Sequence, residues 1–450
     1  MAHKDRDKQE KPALADLAAR LEAATAAEVA QVLDGVSDDL QARGDLAQRL
    51  IERGADAAAI TVMRDAVARA PQSAETLNAL GMTHRRLGEH AAAAARFEQA
   101  LALAPENEVL RFNLALSLLS QGDLARGWPL YESGRNPVVQ RADPLRRHPF
   151  PEWQGEPLAG KRLYLWSEQG VGDVILYAGM IAELQAQGAS CTLECDGRLV
   201  ALLRRSFPGL MAAAAGPLAD LALPGRAGGR FDCHAPLGSL GRFLRPTLDA
   251  FPAPRSFLRA DAKRVAACRT RLDALGPGRK IGISWFSKSA TYDAKSTRLI
   301  DWAPVLKLPN TRFVNLQYGE VAADLEAVRR TLGVAVFDDP EIDKRNDLDG
   351  LAALTSACDA VVTVSNVTAP IAGALGKPVL LIVGPETMWY WFQERSDSPW
   401  YPDFEIFRAA RPYHWDDALA AVARALAQPS KGAPSPARRK LRVRSRPKPQ

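Results

Sequence analysis

The residues best suited to chemistry in this chain lie in a glycine-rich segment, 168–173, which reads EQGVGD. It follows a short apolar run and opens an amphipathic segment, 174–187. A glycine-rich turn before a helix lets the backbone approach a ligand closely, and the free N–H groups of the helix start attract an anion or a polar sugar. The spacing matches neither the phosphate-binding P-loop nor the GxGxxG turn of dehydrogenases. The segment therefore predicts the edge of a ligand pocket, formed by Gly170 and Gly172 and ending in the carboxylate of Asp173.

Polar side chains also follow three later apolar runs. After the run that ends at Trp285 come Lys288, Lys295 and Arg298. At the end of the next run are Gln317, Tyr318 and Glu320, and after the run 360–364 come Ser365, Asn366 and Thr368. Fixed cations can stabilise a departing anion, and hydroxyl, amide and backbone N–H groups can bind phosphate oxygens. Each group also has a plainer interpretation, as solvated loop charges, a helix-start acid or helix caps.

The front of the chain repeats at a period of 34 residues, with Gly54, Gly88 and Gly122 in register. In the second copy, small residues and Phe97 lie at the spacings of a tetratricopeptide repeat, which this region resembles. Small residues let two antiparallel helices approach, and Phe97 and Tyr131 fill the gap between them. We therefore predict a helical repeat domain over residues 13–135, with units at about 40–73, 74–107 and 108–141.

Stacked units of this kind present a concave groove that binds a peptide or protein segment. We expect exposed polar side chains on the first helix of each unit, namely Asn78, His84, Arg85, Asn113 and Ser117. The alternative is a purely structural spacer, because three units are close to the minimum for a stable stack.

The rest of the chain alternates short apolar runs with helical patterns. The predicted strands are 163–166, 191–195, 281–285, 313–317, 334–337, 360–364 and 379–383. Continuous apolar strands that alternate with helices indicate parallel sheets covered on both faces, whose ligands bind at the carboxyl ends of the strands. We predict two Rossmann-like, doubly wound halves, 161–277 and 278–428, which follow a linker over 136–160 and face a cleft.

Composition limits the class of protein. The chain has 450 residues, of which 47% are hydrophobic and 24% charged, as in ordinary globular proteins. Its five cysteines form no CxxC pair, and no window of about 18 apolar residues occurs, so we expect a cytoplasmic protein without a membrane span, disulfide framework or metal knuckle. Residues 1–12 and the basic, proline-rich tail 429–450 are predicted to be disordered.

The motifs together resemble a family, the bacterial tetratricopeptide-repeat glycosyltransferases whose catalytic region is similar to heptosyltransferase-type GT-B enzymes. The likeness runs from about residue 127 to residue 408. Its motifs are GW at 127–128, EQGVGD at 168–173, FVNLQ at 313–317, AGALGKPV at 372–379 and DSPWYP at 397–402. Their order and spacing together are specific to the family, although each is weak alone.

The resemblance implies transfer of a sugar from a nucleotide-sugar donor without a metal or other cofactor. Asp173 matches the position of a base that takes the acceptor proton, although it could be only a first-turn residue stabilised by the helix dipole. The donor-binding residues implied are Gly170, Gly172, Lys288, Arg298, Gln317, Ser365, Asn366 and Thr368, with Lys295 as a further candidate for the cation. The halves 161–277 and 278–428 would bind acceptor and donor respectively.

The implied acceptor is a protein Ser or Thr hydroxyl recruited by the repeats, for example in flagellin or another surface protein. One departure is informative, because Pro370 stands where this family usually carries a His, and proline offers no donor to a phosphate. It motivates a second hypothesis, an interaction scaffold with a degenerate transferase domain. Nucleic-acid binding through the tail is disfavoured, because the remainder of the chain has no basic surplus.

Overall fold

The computed structural model describes residues 17, 21 and 29 and the ranges 39–139, 148–215, 231–287 and 295–428. Our expectations for residues 1–12, for the tail 429–450 and for Lys288 lie outside the described residues. Within them the chain forms a helical region followed by two parallel-sheet α/β halves.

The helical region consists of three antiparallel helix pairs. Its helices are α1 (Leu40–Glu52), α2 (Asp56–Arg69), α3 (Ala74–Arg86), α4 (His90–Leu103), α5 (Glu108–Ser120) and α6 (Leu124–Tyr131). The first helix of each pair begins at a side chain that caps it, Asp39, Ser73 or Asn107, and ends near a glycine with positive φ, Gly54, Gly88 or Gly122. These glycines reverse the chain between the paired helices.

A close contact inside the second pair explains one of the small residues. A Cβ atom at Gly81 would lie 2.6 Å from the ring of Phe97, which is fully buried. Any larger residue would therefore separate α3 from α4.

The first α/β half has four parallel strands in the order β3-β2-β1-β4. Its elements are β1 (Arg162–Trp166), α7 (Val171–Ala178), α8 (Ile181–Ala186), β2 (Ser190–Cys195), α9 (Val200–Ser206), β3 (Met211–Ala214), β4 (Cys233–Pro236) and α10 (Leu240–Leu244). The helical pattern predicted over 174–187 forms two helices, α7 and α8, because the helix is interrupted at Gly179 and Met180. A Cβ at Gly179 would lie 3.0 Å from the ring of Phe257, so this break allows a close packing contact.

The second α/β half has six parallel strands in the order β10-β9-β8-β5-β6-β7. Its elements are α11 (Ala262–Asp273), β5 (Arg279–Ser284), α12 (Ala303–Leu306), β6 (Thr311–Asn315), α13 (Ala322–Leu332), β7 (Val336–Phe337), α14 (Leu348–Ala357), β8 (Ala360–Val364), α15 (Thr368–Ala374), β9 (Val379–Val383), β10 (Phe404–Arg408) and α16 (Asp416–Ala427). The first helix, α11, lies before the predicted boundary at residue 278 but packs against α14 of this half. The interior strands β8 and β9 are buried along their whole length, which accounts for their almost entirely apolar sequences.

The third helix pair shares its hydrophobic core with the α/β halves. Leu119, Trp128 and Tyr131 belong to the same buried cluster as residues of both sheets. The indole N–H of Trp128 donates to the carbonyl oxygen of Arg245 at 2.8 Å, and a Cβ at Gly241 would lie only 2.2 Å from the Trp128 ring. The hydrophobic core is therefore continuous across residue 135, the predicted end of the helical repeat domain.

The turns within the helix pairs also contact the α/β halves. A Cβ at Gly54 would lie 3.4 Å from Arg411, one at Gly88 would lie 3.0 Å from Pro385, and one at Gly122 would lie 2.9 Å from Leu248. The side-chain amide of Gln48 donates to the hydroxyl of Tyr413 at 3.0 Å. The helix pairs are thus docked along one edge by turns that recur every 34 residues.

Candidate active site at the junction of the two halves

Asp173 lies in the first turn of α7, directly beyond the carboxyl end of β1. Its backbone N–H donates to the Gly170 carbonyl oxygen at 3.0 Å, and a Cβ at Gly170 would lie 3.4 Å from the Asp173 carboxylate. Burial raises the pKa of Asp173 to about 6, although the Lys295 ammonium and the N–H groups of Gly170 and Asp173 oppose this shift. The carboxylate is therefore mostly ionised at neutral pH and close to the pH at which it accepts a proton.

Lys295 reaches the same place from the second half. Its side chain is buried, and its Nζ donates to Sδ of Met388 at 2.9 Å. Burial lowers the pKa of Lys295 to about 8, against the opposing effect of the Asp173 and Glu386 carboxylates. A carboxylate from one half and an ammonium group from the other thus interact at the junction.

Pro370 also lies at this junction. It is buried in α15, and a Cβ atom at Gly172 would lie 3.6 Å from its Cγ. The ring of Pro370 therefore faces the glycine-rich turn of the opposite half.

The helical region contributes a side chain beside the glycine-rich turn, which sequence reasoning missed. The hydroxyl of Tyr131 donates to Oε1 of Gln169 at 3.1 Å and lies 3.4 Å from the hydroxyl of Tyr177. Glu168 accepts the backbone N–H of Gly238 at 2.9 Å, and burial raises its pKa to about 7. Tyr131 lies three residues after the GW motif at 127–128, but its distance from residue 169 along the chain hides the contact.

The polar residues after β8 bind mainly to other parts of the protein. The Asn366 side-chain amide donates to Oγ of Ser284 at 2.7 Å and to the Phe286 carbonyl oxygen at 2.9 Å, while its oxygen accepts the backbone N–H of Thr368 at 2.9 Å. Asn366 thereby joins the ends of β5 and β8. Ser365 accepts the indole N–H of Trp391 at 2.9 Å.

Gln317 also holds neighbouring backbone in place through hydrogen bonds. Its Oε1 accepts the Ser284 hydroxyl at 2.8 Å and the backbone N–H groups of Trp285 and Phe286 at 2.8 and 3.0 Å. Gln317 therefore fixes the chain where it leaves β5. Arg298 lies further along, with its side chain 79% exposed and paired with Asp301 at 2.7 Å.

The expectation that polar side chains of the first helices are exposed is wrong for four of the five residues. Asn78 is partly exposed, whereas the other four, His84, Arg85, Asn113 and Ser117, are buried. They are buried because helix packing and the docked α/β halves cover them: Arg85 pairs with Glu386 at 3.5 Å, and Asn113 donates to Asn78 at 2.9 Å.

Aromatic residues of the second half pack as core. Five of them that lie close together in sequence are all buried, namely Trp389, Tyr390, Trp391, Trp400 and Tyr401. In the part of the chain that the structure describes, no group of three or more His, Cys, Asp or Glu residues is arranged to hold a metal ion. The helices in the described ranges are all too short or too polar to cross a bilayer.

Fold and site together define a protein in which helix pairs are joined to two parallel α/β halves, with an acid and a buried lysine at their junction. No known family model matches the chain. Its sequence is 32% identical to protein FlbA of Caulobacter vibrioides over 440 residues, which cover 86% of this chain and 73% of FlbA. The chain belongs to the same family as FlbA.

Several solved structures are similar to the chain. A family 9 glycosyl transferase from Veillonella parvula is 13% identical, with 57% of this chain and 88% of that chain covered and a TM-score of 0.44. The ADP-heptose lipopolysaccharide heptosyltransferase II of Escherichia coli is 16% identical, with coverages of 59% and 97% and a TM-score of 0.43. An O-GlcNAc transferase mutant from Thermobaculum terrenum is 18% identical, with coverages of 94% and 91% and a TM-score of 0.32.

Proposed function

We propose that this protein is a glycosyltransferase that moves a sugar from a nucleotide-sugar donor to an acceptor hydroxyl. The observation that supports it most is that Asp173, beyond the end of β1, and the buried Lys295 of the other half act electrostatically on each other across the junction. Such a pair supplies the two groups that this reaction needs, a base for the acceptor and a cation for the leaving group.

In the proposed reaction, Asp173 takes the proton of the acceptor hydroxyl as the acceptor oxygen forms a bond to the anomeric carbon. The bond from that carbon to the diphosphate oxygen breaks, and its electron pair leaves with the nucleoside diphosphate. Lys295 stabilises the negative charge that develops on the leaving group, because a buried ammonium interacts more strongly with phosphate than a solvated one. No metal or other cofactor takes part in this proposal.

The donor would lie between the glycine-rich turn and the carboxyl ends of β5, β6 and β8. Gly170 and Gly172 keep the turn open to a close approach. Asn366 and Gln317 hold the surrounding backbone, so their contribution to donor binding is through the shape of the site. Ser365, Thr368, Lys288 and Arg298 remain proposed donor contacts.

The acceptor proposed is a Ser or Thr residue of a protein, recruited by the helical region in the cytoplasm, such as flagellin or another surface protein. Because four of the five polar residues expected to line a groove are buried, recruitment would rely on other exposed residues of the helix pairs. A thermal-shift screen against nucleotides and nucleotide-sugars tests the enzyme, since a ligand that binds only the native state raises the melting temperature. Mass spectrometry of the candidate acceptor then tests transfer.

A second candidate function is an interaction scaffold that retains the transferase fold without the chemistry. The contact between Pro370 and Gly172 favours it, because an apolar ring occupies a place where a hydrogen-bond donor would face the donor sugar. Absence of any stabilisation across the nucleotide and nucleotide-sugar screen would favour the scaffold over the enzyme.

A further inference from the structure

The loop 384–393, between β9 and β10, connects the helical region to the candidate site. On the helical side, Glu386 pairs with Arg85 of α3 at 3.5 Å, and both side chains are largely buried. Pro385 packs against the turn at Gly88, and the backbone N–H of Gln393 donates to the Ser120 carbonyl oxygen at 2.7 Å. Two helix pairs therefore fix the position of this bridging loop.

The other side of the bridging loop contacts residues of the candidate site. Sδ of Met388 accepts a hydrogen bond from Nζ of Lys295 at 2.9 Å, and the indole N–H of Trp391 donates to Oγ of Ser365 at 2.9 Å. In the described part of the chain, the charged groups that act on Lys295 are Asp173 and Glu386. The loop residue paired with the helical region, Glu386, is thus also an acid that acts on the lysine.

We propose that Arg85 and Glu386 are positioning residues through which the docked helical region sets the placement and charge of Lys295. This inference rests on the proposed function, in which Lys295 binds the diphosphate of the donor. It assigns to the helix pairs a part in the chemistry in addition to the recruitment of an acceptor.

The physical argument concerns the buried ion pair. A buried carboxylate that loses its partner is left uncompensated, so removal of Arg85 would favour a displacement of Glu386 toward water. That displacement would move Met388, only two residues away, and remove a negative charge from the surroundings of Lys295. Loss of this charge lowers the pKa of the lysine further, because burial then acts with less opposition.

The test uses the full-length protein and inorganic pyrophosphate as a probe of the diphosphate subsite, with binding measured by calorimetry between pH 6.5 and 9. Ratios to wild type cancel the titration of pyrophosphate itself. In Glu386→Gln, we expect binding to weaken about three- to tenfold at pH 8 and less at pH 6.5, because the fraction of charged Lys295 falls at lower pH than in wild type. Glu394→Gln is the matched control, because Glu394 is an exposed acid next to the same loop.

A double-mutant cycle separates positioning from a direct charge effect. If Arg85 acts through Glu386, Arg85→Met weakens pyrophosphate binding about three- to tenfold in the wild-type background and less than about twofold in the Glu386→Gln background. Equal effects in both backgrounds, or a Glu386→Gln profile identical to that of Glu394→Gln, would overturn the proposal. Melting temperatures of each variant confirm that the native fold is retained.

Lys295→Met distinguishes this inference from the function on which it rests. If that variant and wild type bind pyrophosphate equally, or wild type does not bind it, the donor site is wrong and the positioning role fails with it. If Lys295→Met abolishes binding while the cycle is additive, the positioning inference alone is wrong.

Discussion

Gly172 and Pro370 face each other across the junction of the two α/β halves, with only 3.6 Å between Cγ of the proline and the place where a Cβ on residue 172 would lie. Asp173 follows Gly172 directly, so the proposed base lies close to the second half at this point. The lack of a side chain at Gly172 leaves room beside Asp173 for a bound group.

The role of Asp173 can be tested with Asp173→Asn, which keeps the shape of the side chain but removes the base. We expect the variant to bind the donor as wild type does and to lower the turnover number by about two to four orders of magnitude. Donor affinity by calorimetry and transfer rate by mass spectrometry provide the two measurements. Asp249→Asn, which changes an exposed carboxylate in the same way, serves as the control, and a near-normal rate in Asp173→Asn would exclude Asp173 as the base.

The pH dependence of transfer should follow the two groups at the junction. Asp173 must be ionised to accept a proton, so kcat/KM rises with pH through about 6. Lys295 must be protonated to stabilise the leaving diphosphate, so kcat/KM falls as pH increases through about 8. A bell-shaped profile with these limbs is expected in the free enzyme. In Lys295→Met the alkaline limb should disappear along with most of the activity, and an unchanged alkaline limb would show that another group titrates there.

The packing of α6 on the first α/β half predicts that one added methyl group, at Gly241, strongly lowers the stability of the protein. Gly241→Ala would place a Cβ about 2.2 Å from the Trp128 ring, which is held in place by its hydrogen bond to Arg245. Overpacking of this kind costs about 1–3 kcal/mol, so the melting temperature should fall. Gly44→Ala is the matched control, since nothing lies within 4 Å of its Cβ position in α1 and alanine favours a helix by about 0.5–1 kcal/mol. Equal melting temperatures for the two variants would contradict the close fit of Trp128.

The sequence predicts the elements whose signal is local. The runs 360–364 and 379–383 coincide with β8 and β9, because both faces of these strands are buried and the apolar pattern is continuous. Strands β3, β4 and β10 were not predicted, since the first two are only four residues long and β10 carries charged residues at partly exposed positions. Their existence depends on pairing with neighbours far away in the chain.

In the candidate site, too, features set by neighbouring residues can be predicted from the sequence, whereas features set by distant contacts cannot. The placement of Asp173 in a turn between a strand and a helix is predictable, because strand, turn and helix are adjacent in sequence. Nothing local distinguishes Lys295 from Lys288 or Arg298, and its burial comes from Met388 and the surrounding loop. Likewise, nothing near Arg85 in the sequence indicates that it is buried, because its partner Glu386 lies about 300 residues away.

The shared core leads to the last prediction, which concerns removal of the helical region. If the helical repeat domain predicted over residues 13–135 were an independent unit, deletion of residues 1–135 would leave nucleotide binding by the rest of the chain nearly unchanged. Because Leu119, Trp128 and Tyr131 belong to the core of the α/β halves, we now expect this deletion to unfold or strongly destabilise the protein. Deletion of residues 1–72 removes everything before the second helix pair, including the first pair and its contacts with residues 411–414, but keeps the shared core, so it should retain the fold of the α/β halves.

The shorter deletion is therefore the one that can test acceptor recruitment. We expect it to bind the donor with nearly wild-type affinity but to modify a protein acceptor slowly at low acceptor concentration, with partial recovery at high concentration, since tethering raises the effective concentration of an acceptor to about the millimolar range. Thermal unfolding, donor calorimetry and acceptor modification on both deletions give the required measurements. A cooperative unfolding transition at the wild-type temperature in the 1–135 deletion would show that the third helix pair is dispensable for the core. Undiminished modification by the 1–72 deletion at low acceptor concentration would show that the first pair does not recruit the acceptor.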